Sequence, residues 1–353
     1  MGENDGGMEN VAALLRAPES AMTIPVATLE KVLRLAADQY YNSGTSLMSD
    51  DLFDRLLEVL RGRKPNSKVL TDVGAPVVVN KVDLPYPMLS LDKVKPGTEQ
   101  LTKWIERQSA SRPFVTTDKL DGTSAMLVYS GEGVKMYRRG TGLTGADVSH
   151  LIEYIIPPHL RRGFPGLGPD KAVAVRGEII IPREIFIQHF ADKFTDARSL
   201  VNSLVNRKNL DRQTQAILRL TDFVAYEVVH PRISKMQQIE FMDAAGFKVV
   251  HAVAVQRVSE EFLINQYARR RAHSPYFVDG LVVESNGPHT HGGADRNPTY
   301  AVAFKMTLDD QGADTEVVAV VWEASKDRKL IPRVQYQPIV VNGVTLQWAT
   351  GMP

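Results

Sequence analysis

The first residues able to do chemistry in this chain are a lysine with an aspartate and a glycine close behind it, Lys119-Leu120-Asp121-Gly122, set between two β-prone runs at 114–118 and 125–129. A lysine at a strand end has its backbone held while its amine points into a cleft. Free lysine has a pKa of about 10.4, so a nucleophilic lysine at neutral pH must be lowered by about three pH units, at a cost of about 4 kcal/mol, by nearby cations or desolvation. Asp121 is placed to orient the amine or bind a metal, and Gly122 lets the backbone approach a phosphate. On its own, Lys-x-Asp-Gly more often marks a surface lysine beside a turn. Five further charged residues at strand ends or turns change the weighting. Arg139 precedes the glycine-rich loop Gly140-Thr141-Gly142-Leu143-Thr144-Gly145, and Glu178 follows Arg176-Gly177. Arg198 lies in Asp196-Ala197-Arg198-Ser199, Asp279 precedes Gly280, and Lys305 closes the apolar run 300–304. Tyr226 offers a flat face suited to a purine, although such a tyrosine is more often core. Two lysines, two arginines and the carboxylates Asp121, Glu178 and Asp279 suit nucleotidyl transfer. Cations stabilise a phosphate as charge develops, and acids hold ribose hydroxyls or Mg2+.

The elements that must position these groups are those of an α+β protein. Val26, Leu29, Val32, Leu33 and Ala36 recur at helical spacing up to Tyr40-Tyr41, and Asn42-Ser43-Gly44-Thr45 ends the pattern. Ser49 caps a second helix from Asp50 to about Arg61. Asp50 and Asp54 share a side of its first turn. The ordinary reading is acidity that complements the helix dipole, and the functional one is a cation held by two carboxylates near Tyr41 and Phe53. Residues 62–97 are loop-rich around the island Pro87-Met88-Leu89-Ser90-Leu91-Asp92. From about residue 100, β-prone segments at 113–118, 124–129, 133–138, 172–181, 221–229, 247–256, 280–285 and 299–306 alternate with helical stretches at 145–156, 183–192, 197–206 and 234–245. That pattern predicts mostly antiparallel sheets rather than a βαβ repeat. The Lys-Asp-Gly segment is expected at the junction of a hairpin-like strand pair. Strands at 316–323, 332–334, 337–341 and 344–350, the last two joined by Asn342-Gly343, look like the first half of a small barrel. The expected division is a flexible leader at 1–25, a helical domain at 26–97, an α+β domain at 98–312 and a partial barrel at 313–353.

Composition narrows the class. With 353 residues, 43% hydrophobic, 24% charged and a net charge of +1, the chain is an ordinary globular protein with no strong overall electrostatic bias. It has no cysteine, which excludes disulfides and zinc fingers. No run approaches the roughly 20 apolar residues that span a bilayer. The polar, acidic first ten residues do not read as a signal peptide, so a cytoplasmic location is expected.

In order and context these motifs resemble the NAD-dependent DNA ligases of bacteria and some viruses, over about residues 26–350. Lys119-Leu120-Asp121-Gly122 is similar to the family's lysine motif, and Arg139 to Val148 to the loop that follows it. Val175-Arg176-Gly177-Glu178, Asp279-Gly280-Leu281-Val282-Val283 and Ala301-Val302-Ala303-Phe304-Lys305 resemble its later nucleotidyltransferase motifs. Tyr226 falls where the family stacks adenine. Tyr41, Asp50, Phe53 and Asp54 resemble the small helical domain that holds the nicotinamide mononucleotide (NMN) half of NAD. The island containing Ser90 and Leu91 resembles the join between the two domains. Trp322, Leu330-Ile331-Pro332 and Gly343-Val344-Thr345 resemble the start of an OB-fold.

The resemblance implies an ATP-grasp-like nucleotidyltransferase domain with antiparallel sheets. It implies NAD and Mg2+ as cofactors, Lys119, Asp121 and Lys305 as catalytic residues, and nicked double-stranded DNA as partner. Lys119 would take AMP from NAD, releasing NMN, and pass it to a DNA 5′-phosphate for sealing in replication and repair. Tyr41, Asp50, Phe53, Asp54, Ser90, Leu91, Thr117, Arg139, Glu178, Tyr226, Asp279 and Glu284 would line the cofactor site. Arg138, Arg198, Arg207 and Lys208, with Arg161, Arg162 and Arg212, are the expected DNA contacts. Several positions depart from the family pattern. Asn42 replaces a histidine, Phe53 a tyrosine, Thr117 a glutamate, Thr141 an aspartate and Glu284 a lysine. Thr117 and Glu284 together read as an acid moved from one side of the base to the other. Because the barrel reads as incomplete, self-adenylation is expected to outrun sealing unless a second polypeptide or a longer C-terminus completes it. An RNA or other polynucleotide ligase with the same chemistry, or a degenerate non-catalytic subunit, is the alternative.

Overall fold

The computed structural model describes residues 10–11, 14–15, 18–39, 47–48, 50–71, 81–108, 113–168, 171–194, 196–207, 210–289, 296–306, 315–324, 330–341 and 344–350. At the N-terminal end a 3-10 turn, Pro18–Met22, leads into α1 (Val26–Asp38), α2 (Asp50–Arg63) and α3 (Lys68–Thr71). Pro25 sets the entry to α1, whose Leu29, Val32, Leu33 and Ala36 make one buried stripe. That stripe packs on Leu56 and Leu60 of α2 and Val69 of α3. Glu30 ties α1 to the α2–α3 turn by accepting from Lys64 at 3.0 Å and from the Ser67 hydroxyl.

The remaining strands are β1 (Lys81–Asp83), β2 (Asp92–Val94), β3 (Phe114–Leu120), β4 (Thr123–Ser130), β5 (Gly133–Arg139), β6 (Thr144–Asp147), β7 (Val173–Ile180), β8 (Asp222–His230), β9 (Lys248–Val249), β10 (Ala252–Val255), β11 (Val278–Ser285), β12 (Ala301–Phe304), β13 (Val317–Ala324), β14 (Leu330–Val341) and β15 (Val344–Thr350). Between them lie α4 (Gln100–Glu106), a 3-10 turn at Ser149–Leu151, α5 (Ile152–Ile155), α6 (Pro158–Arg161), α7 (Arg183–His189), α8 (Ala197–Val205), α9 (Arg212–Leu218), α10 (Lys235–Ala244) and α11 (Glu260–His273). A seven-stranded sheet has the order β1-β6-β5-β4-β7-β8-β9, and a five-stranded sheet the order β10-β3-β11-β12-β2. Among the described pairings only β12–β2 and β8–β9 are parallel. The class is α+β, and β13–β15 form a separate three-stranded antiparallel sheet.

Each large sheet has one face closed by helices. Leu101 and Trp104 of α4 and Leu263 and Tyr267 of α11 cover the five-stranded sheet through Phe114, Leu281, Val283 and Phe304. Leu200, Val201 and Leu204 of α8 cover the seven-stranded sheet through Leu127, Val175, Ile179 and Phe223. Side chains alternate along a strand. The residues between those core positions, including Thr117, Lys119, Ser124, Arg176, Glu178, Val282 and Glu284, therefore fall on the opposite faces.

Four expectations do not hold. The helix expected at 145–156 opens as β6, paired with β1 and β5, and turns helical only from Ser149. The strands expected at 332–334 and 337–341 are one strand, β14. β3 and β4 are not a hairpin, because they belong to different sheets and the chain crosses between them at Lys119–Gly122. The single strand expected at 247–256 is two strands, one in each sheet. No helix of the described residues is long and apolar enough to cross a membrane.

Candidate active site

The crossing is held from both sides. The Asp121 backbone N–H donates to the Phe277 carbonyl at 3.0 Å, just ahead of β11. Gly122 sits so close to β7 that a Cβ there would lie 2.4 Å from the Ile179 carbonyl oxygen. A Cβ on Gly280 would lie 2.5 Å from the Phe304 carbonyl, and one on Gly177 would lie 2.6 Å from the Phe223 ring. Each of these glycines adjoins an acid of the site: Asp121, Asp279 and Glu178 respectively. Glycine is required at all three because the backbones approach more closely than any side chain allows.

At the crossing the Lys119 ammonium donates to both oxygens of Asp279, at 2.8 and 2.9 Å. Lys305 Nζ lies 3.5 Å from the same carboxylate. Burial disfavours the Lys119 ammonium, but the charge and hydrogen bonds of Asp279 outweigh both burial and the repulsion from Lys305, so the pKa ends above the ordinary lysine value. This differs from the depressed value expected of a ready nucleophile. The resting amine is held protonated by the charge and hydrogen bonds of Asp279, a residue 160 positions away in sequence. Burial pushes Asp279 up, yet Lys119 and Lys305 bring it below the usual range. Asp121 accepts from Arg198 Nη1 at 3.4 Å. Burial raises the Glu178 carboxyl to about 8, with Lys119 opposing and Asp279 reinforcing. At neutral pH it therefore carries a proton and can donate a hydrogen bond.

Tyr226 is the extra residue of a bulge in β8, where the register steps from Arg176↔Glu227 to Gly177↔Ala225. Its hydroxyl is 2.7 Å from Ser124 Oγ, which fixes the ring. Arg176 donates to Glu227 at 2.9 Å and to the Leu89 carbonyl at 3.3 Å, and its guanidinium carbon stands 5.8 Å from the Tyr226 ring centre. Thr117 is buried on β3 opposite Val282. Arg139 donates to Ser90 Oγ at 2.6 Å. Its glycine loop is pinned, since Met88 N–H donates to the Gly142 carbonyl at 2.7 Å and Leu84 N–H to the Leu143 carbonyl at 2.9 Å. Leu91 is half-buried beside them. Glu284 pairs with Lys235 at 2.9 Å.

The structure thus brings together Lys119, Asp121, Arg198, Asp279 and Lys305 in one cluster. Around it stand Glu178, Arg176 and Tyr226, with Ser90 and Arg139 in contact. Of the expected NMN residues, Tyr41 lies outside the described residues. Asp50 and Asp54 stand on α2, but their side chains also lie outside them. Phe53 is half-buried against the helical core. Of the expected DNA contacts, Lys208 lies outside the described residues. Arg138 is buried, Arg207 donates to Thr214 Oγ1 at 2.6 Å, Arg161 donates to the Ile156 carbonyl, and Arg162 and Arg212 are exposed. Sequence reasoning gave no role to Arg176, Glu227, Ser124, Lys235 or the Asp118–Arg270 pair. Arg176 sat inside a quoted motif, and the signal available for Lys235 was a lysine at the wrong end of a helix. Among the described residues no group of three or more His, Cys, Asp or Glu is placed to hold a metal. With Asp279 committed to two lysines and Asp121 to an arginine, the acids do not fit a resident Mg2+.

Residues 78–308, which contain this whole cluster, match the family described as the NAD-dependent DNA ligase adenylation domain. The chain belongs to that family. Over 328 residues it is 33% identical to the DNA ligase of Acanthamoeba polyphaga mimivirus, covering 92% of this chain and 49% of the relative. It is 32% identical over 332 residues to the putative DNA ligase 205R of Invertebrate iridescent virus 6, covering 90% and 50%. It is 27% identical over 383 residues to DNA ligase 2 of Streptomyces coelicolor, covering 94% and 52%. The adenylation-domain chain therefore spans about half the length of the curated relatives it matches.

Proposed function

We propose that this chain takes AMP from NAD onto Lys119 and that, within a DNA ligase, the AMP passes to the 5′-phosphate of a nick. The observation that carries this reading is the Lys119 amine gripped by Asp279 beside Lys305, at a sheet crossing that no side chain larger than glycine can enter. In the proposed step Nζ loses its proton and forms an N–P bond to the adenylyl phosphorus, while the P–O bond to NMN breaks. Lys305 and Arg198 stabilise the phosphate as charge develops. The protonated Glu178 donates to a ribose oxygen, and Tyr226 stacks on the adenine with Thr117 and Glu284 at its edge. Ser90, Leu91 and Arg139 close the ribose side. Tyr41, Asp50, Phe53 and Asp54 hold the NMN half, where two carboxylates suit a cationic nicotinamide. Mg2+ enters with the phosphates as part of the substrate rather than in a protein-built cage, and no step is assigned to it. Nicked duplex DNA is the acceptor, with Arg138, Arg198, Arg207 and Lys208 assigned to meet it.

The test is intact-mass analysis after incubation with NAD or ATP and Mg2+, followed by denaturation. A mass gain of one AMP from NAD, absent in Lys119→Ala, supports the reading. Gain from ATP alone would change the cofactor, and no gain from either would end the enzymatic reading.

A further inference from the structure

Lys235 is 4% exposed and Glu284 6%, which makes theirs a buried acid–base pair on the cleft side of the five-stranded sheet. The strand register places it there. Gly280 faces Lys119, Val282 faces Thr117 and Glu284 faces Val115, and directly opposed residues share a face. Glu284 is thus the next residue on that face beyond the half-buried Val282. Tyr300 links it to the Arg176–Tyr226 wall. Burial raises the Tyr300 hydroxyl, with Glu227 and Glu284 adding to the rise and Arg176 opposing it.

Lys235 is the first residue of α10, at the positive end of the helix dipole, where a cation is disfavoured. An ion pair buried this deeply is also a weak source of net stability. Neither helix formation nor packing therefore explains a lysine here, whereas a buried carboxylate that must be aimed does. The pair is registered at two points. Lys235 meets Glu284, and the N–H of the next residue, Met236, donates to Asn286 Oδ1 at 3.1 Å, two residues after Glu284 and just past the end of β11. Asn286 is fixed in turn by its N–H to the Pro113 carbonyl at 2.9 Å.

We propose that Lys235 is the positioning residue of base recognition, aiming the Glu284 carboxylate so that it accepts from the exocyclic amino group of the adenine. The proposal rests on the adenylation reading and adds a specificity determinant to it. Thr117, diagonal to Glu284 across the β3–β11 ladder, brings no charge, so the acid that discriminates the base is supplied by β11 and oriented by α10.

The probe is a nicotinamide dinucleotide whose adenine is replaced by purine lacking the 6-amino group, compared with NAD for transfer of the nucleoside monophosphate to Lys119. In the wild type, losing a donor to a buried acceptor should cut kcat/KM by roughly 10- to 100-fold. Lys235→Met/Glu284→Met removes the pair as a unit, which buried ion pairs tolerate, and should bring the two substrates to parity with the thermal melt retained. Lys235→Met alone should narrow the preference, and Lys235→Arg should restore it. An unchanged preference in both the double variant and Lys235→Met overturns the proposal while leaving adenylation intact. Failure of the wild type to take AMP from NAD overturns the adenylation reading and this proposal with it.

Discussion

Gly122→Ala is the sharpest test of how the crossing works. The added methyl would lie 2.4 Å from the Ile179 carbonyl oxygen, 2.9 Å from Glu178 Cγ and 3.0 Å from Ile180 Cβ, against ordinary contact at 3.4 Å and beyond. The tightest partner is backbone within a paired strand, so it cannot turn aside as a flexible side chain would. To recover ordinary contact the crossing must retreat from β7 by about 1 Å. Overpacking of this kind costs about 1–3 kcal/mol, and at roughly 2–4 °C per kcal/mol for a domain of this size the melt should fall by about 2–12 °C. The larger effect is on chemistry, because Lys119 and Asp121 ride on the displaced segment and a misplacement of about 1 Å costs on the order of 100-fold in rate. The assay is the rate of AMP transfer from NAD to Lys119 at saturating NAD, alongside the thermal melt. Gly62→Ala is the control: it lies on α2, its Cβ would meet nothing within 4 Å, and it should stabilise by up to about 1 kcal/mol without touching the rate. A Gly122→Ala chain that adenylates as fast as wild type with an unmoved melt would refute the close-approach reasoning.

Three further outcomes are expected. Asp279→Asn removes the carboxylate that holds the Lys119 ammonium, so the rising limb of the adenylation pH–rate profile should move to lower pH while the maximal rate drops; a limb that stays in place would mean that Asp279 does not hold the proton. Glu178 titrates near 8 in the folded chain and at the ordinary carboxyl value when unfolded, so the fold binds the extra proton between those limits. Its contribution to stability is present at low pH and is lost as pH rises through about 8; thermal melts at pH 5–9 should show this decline in wild type and lack it in Glu178→Gln, and parallel curves would reject the assignment. Asp118, behind Lys119 on β3, accepts from Arg270 at two oxygens, 2.8 Å each. Arg270→Leu should cost about 3–5 kcal/mol in denaturant unfolding and Asp118→Leu/Arg270→Leu should recover most of it; equal losses in the single and double variants would speak against a paired role.

Much of this architecture was legible because it is local. The α1 stripe of Leu29, Val32, Leu33 and Ala36 is a period that the backbone imposes, and the β-prone runs at 114–118, 124–129 and 280–285 all became strands. Partners were harder to read. Asp121-Gly122 between two apolar runs has the composition of a hairpin turn, yet the contacts that decide its path, Phe277 and Ile179, are remote in sequence. The same distance hid the state of Lys119, whose controlling carboxylate lies on β11. α11 escaped the pattern because only Leu263 and Tyr267 of its 14 residues are buried, so its period is faint amid charge. Lys235 had no role in the sequence because its burial, at 4% exposure, comes from packing that the local pattern does not show.

Counting charge around the crossing explains why a protonated lysine is compatible with the proposed chemistry. Lys119, Lys305 and Asp279 together leave one positive charge, Arg198 and Asp121 cancel, and Glu178 is neutral at pH 7. A resting site of this kind attracts a diphosphate without exposing a free amine to other electrophiles. Phosphate oxygens entering the cluster compete with Asp279 for Lys305 and Lys119, and covering the cleft strengthens burial, the largest influence acting to strip the proton from Lys119. Activation of the nucleophile is in this view a consequence of substrate binding, which is why the glycines that bring three strands within backbone contact matter as much as the charged residues they separate.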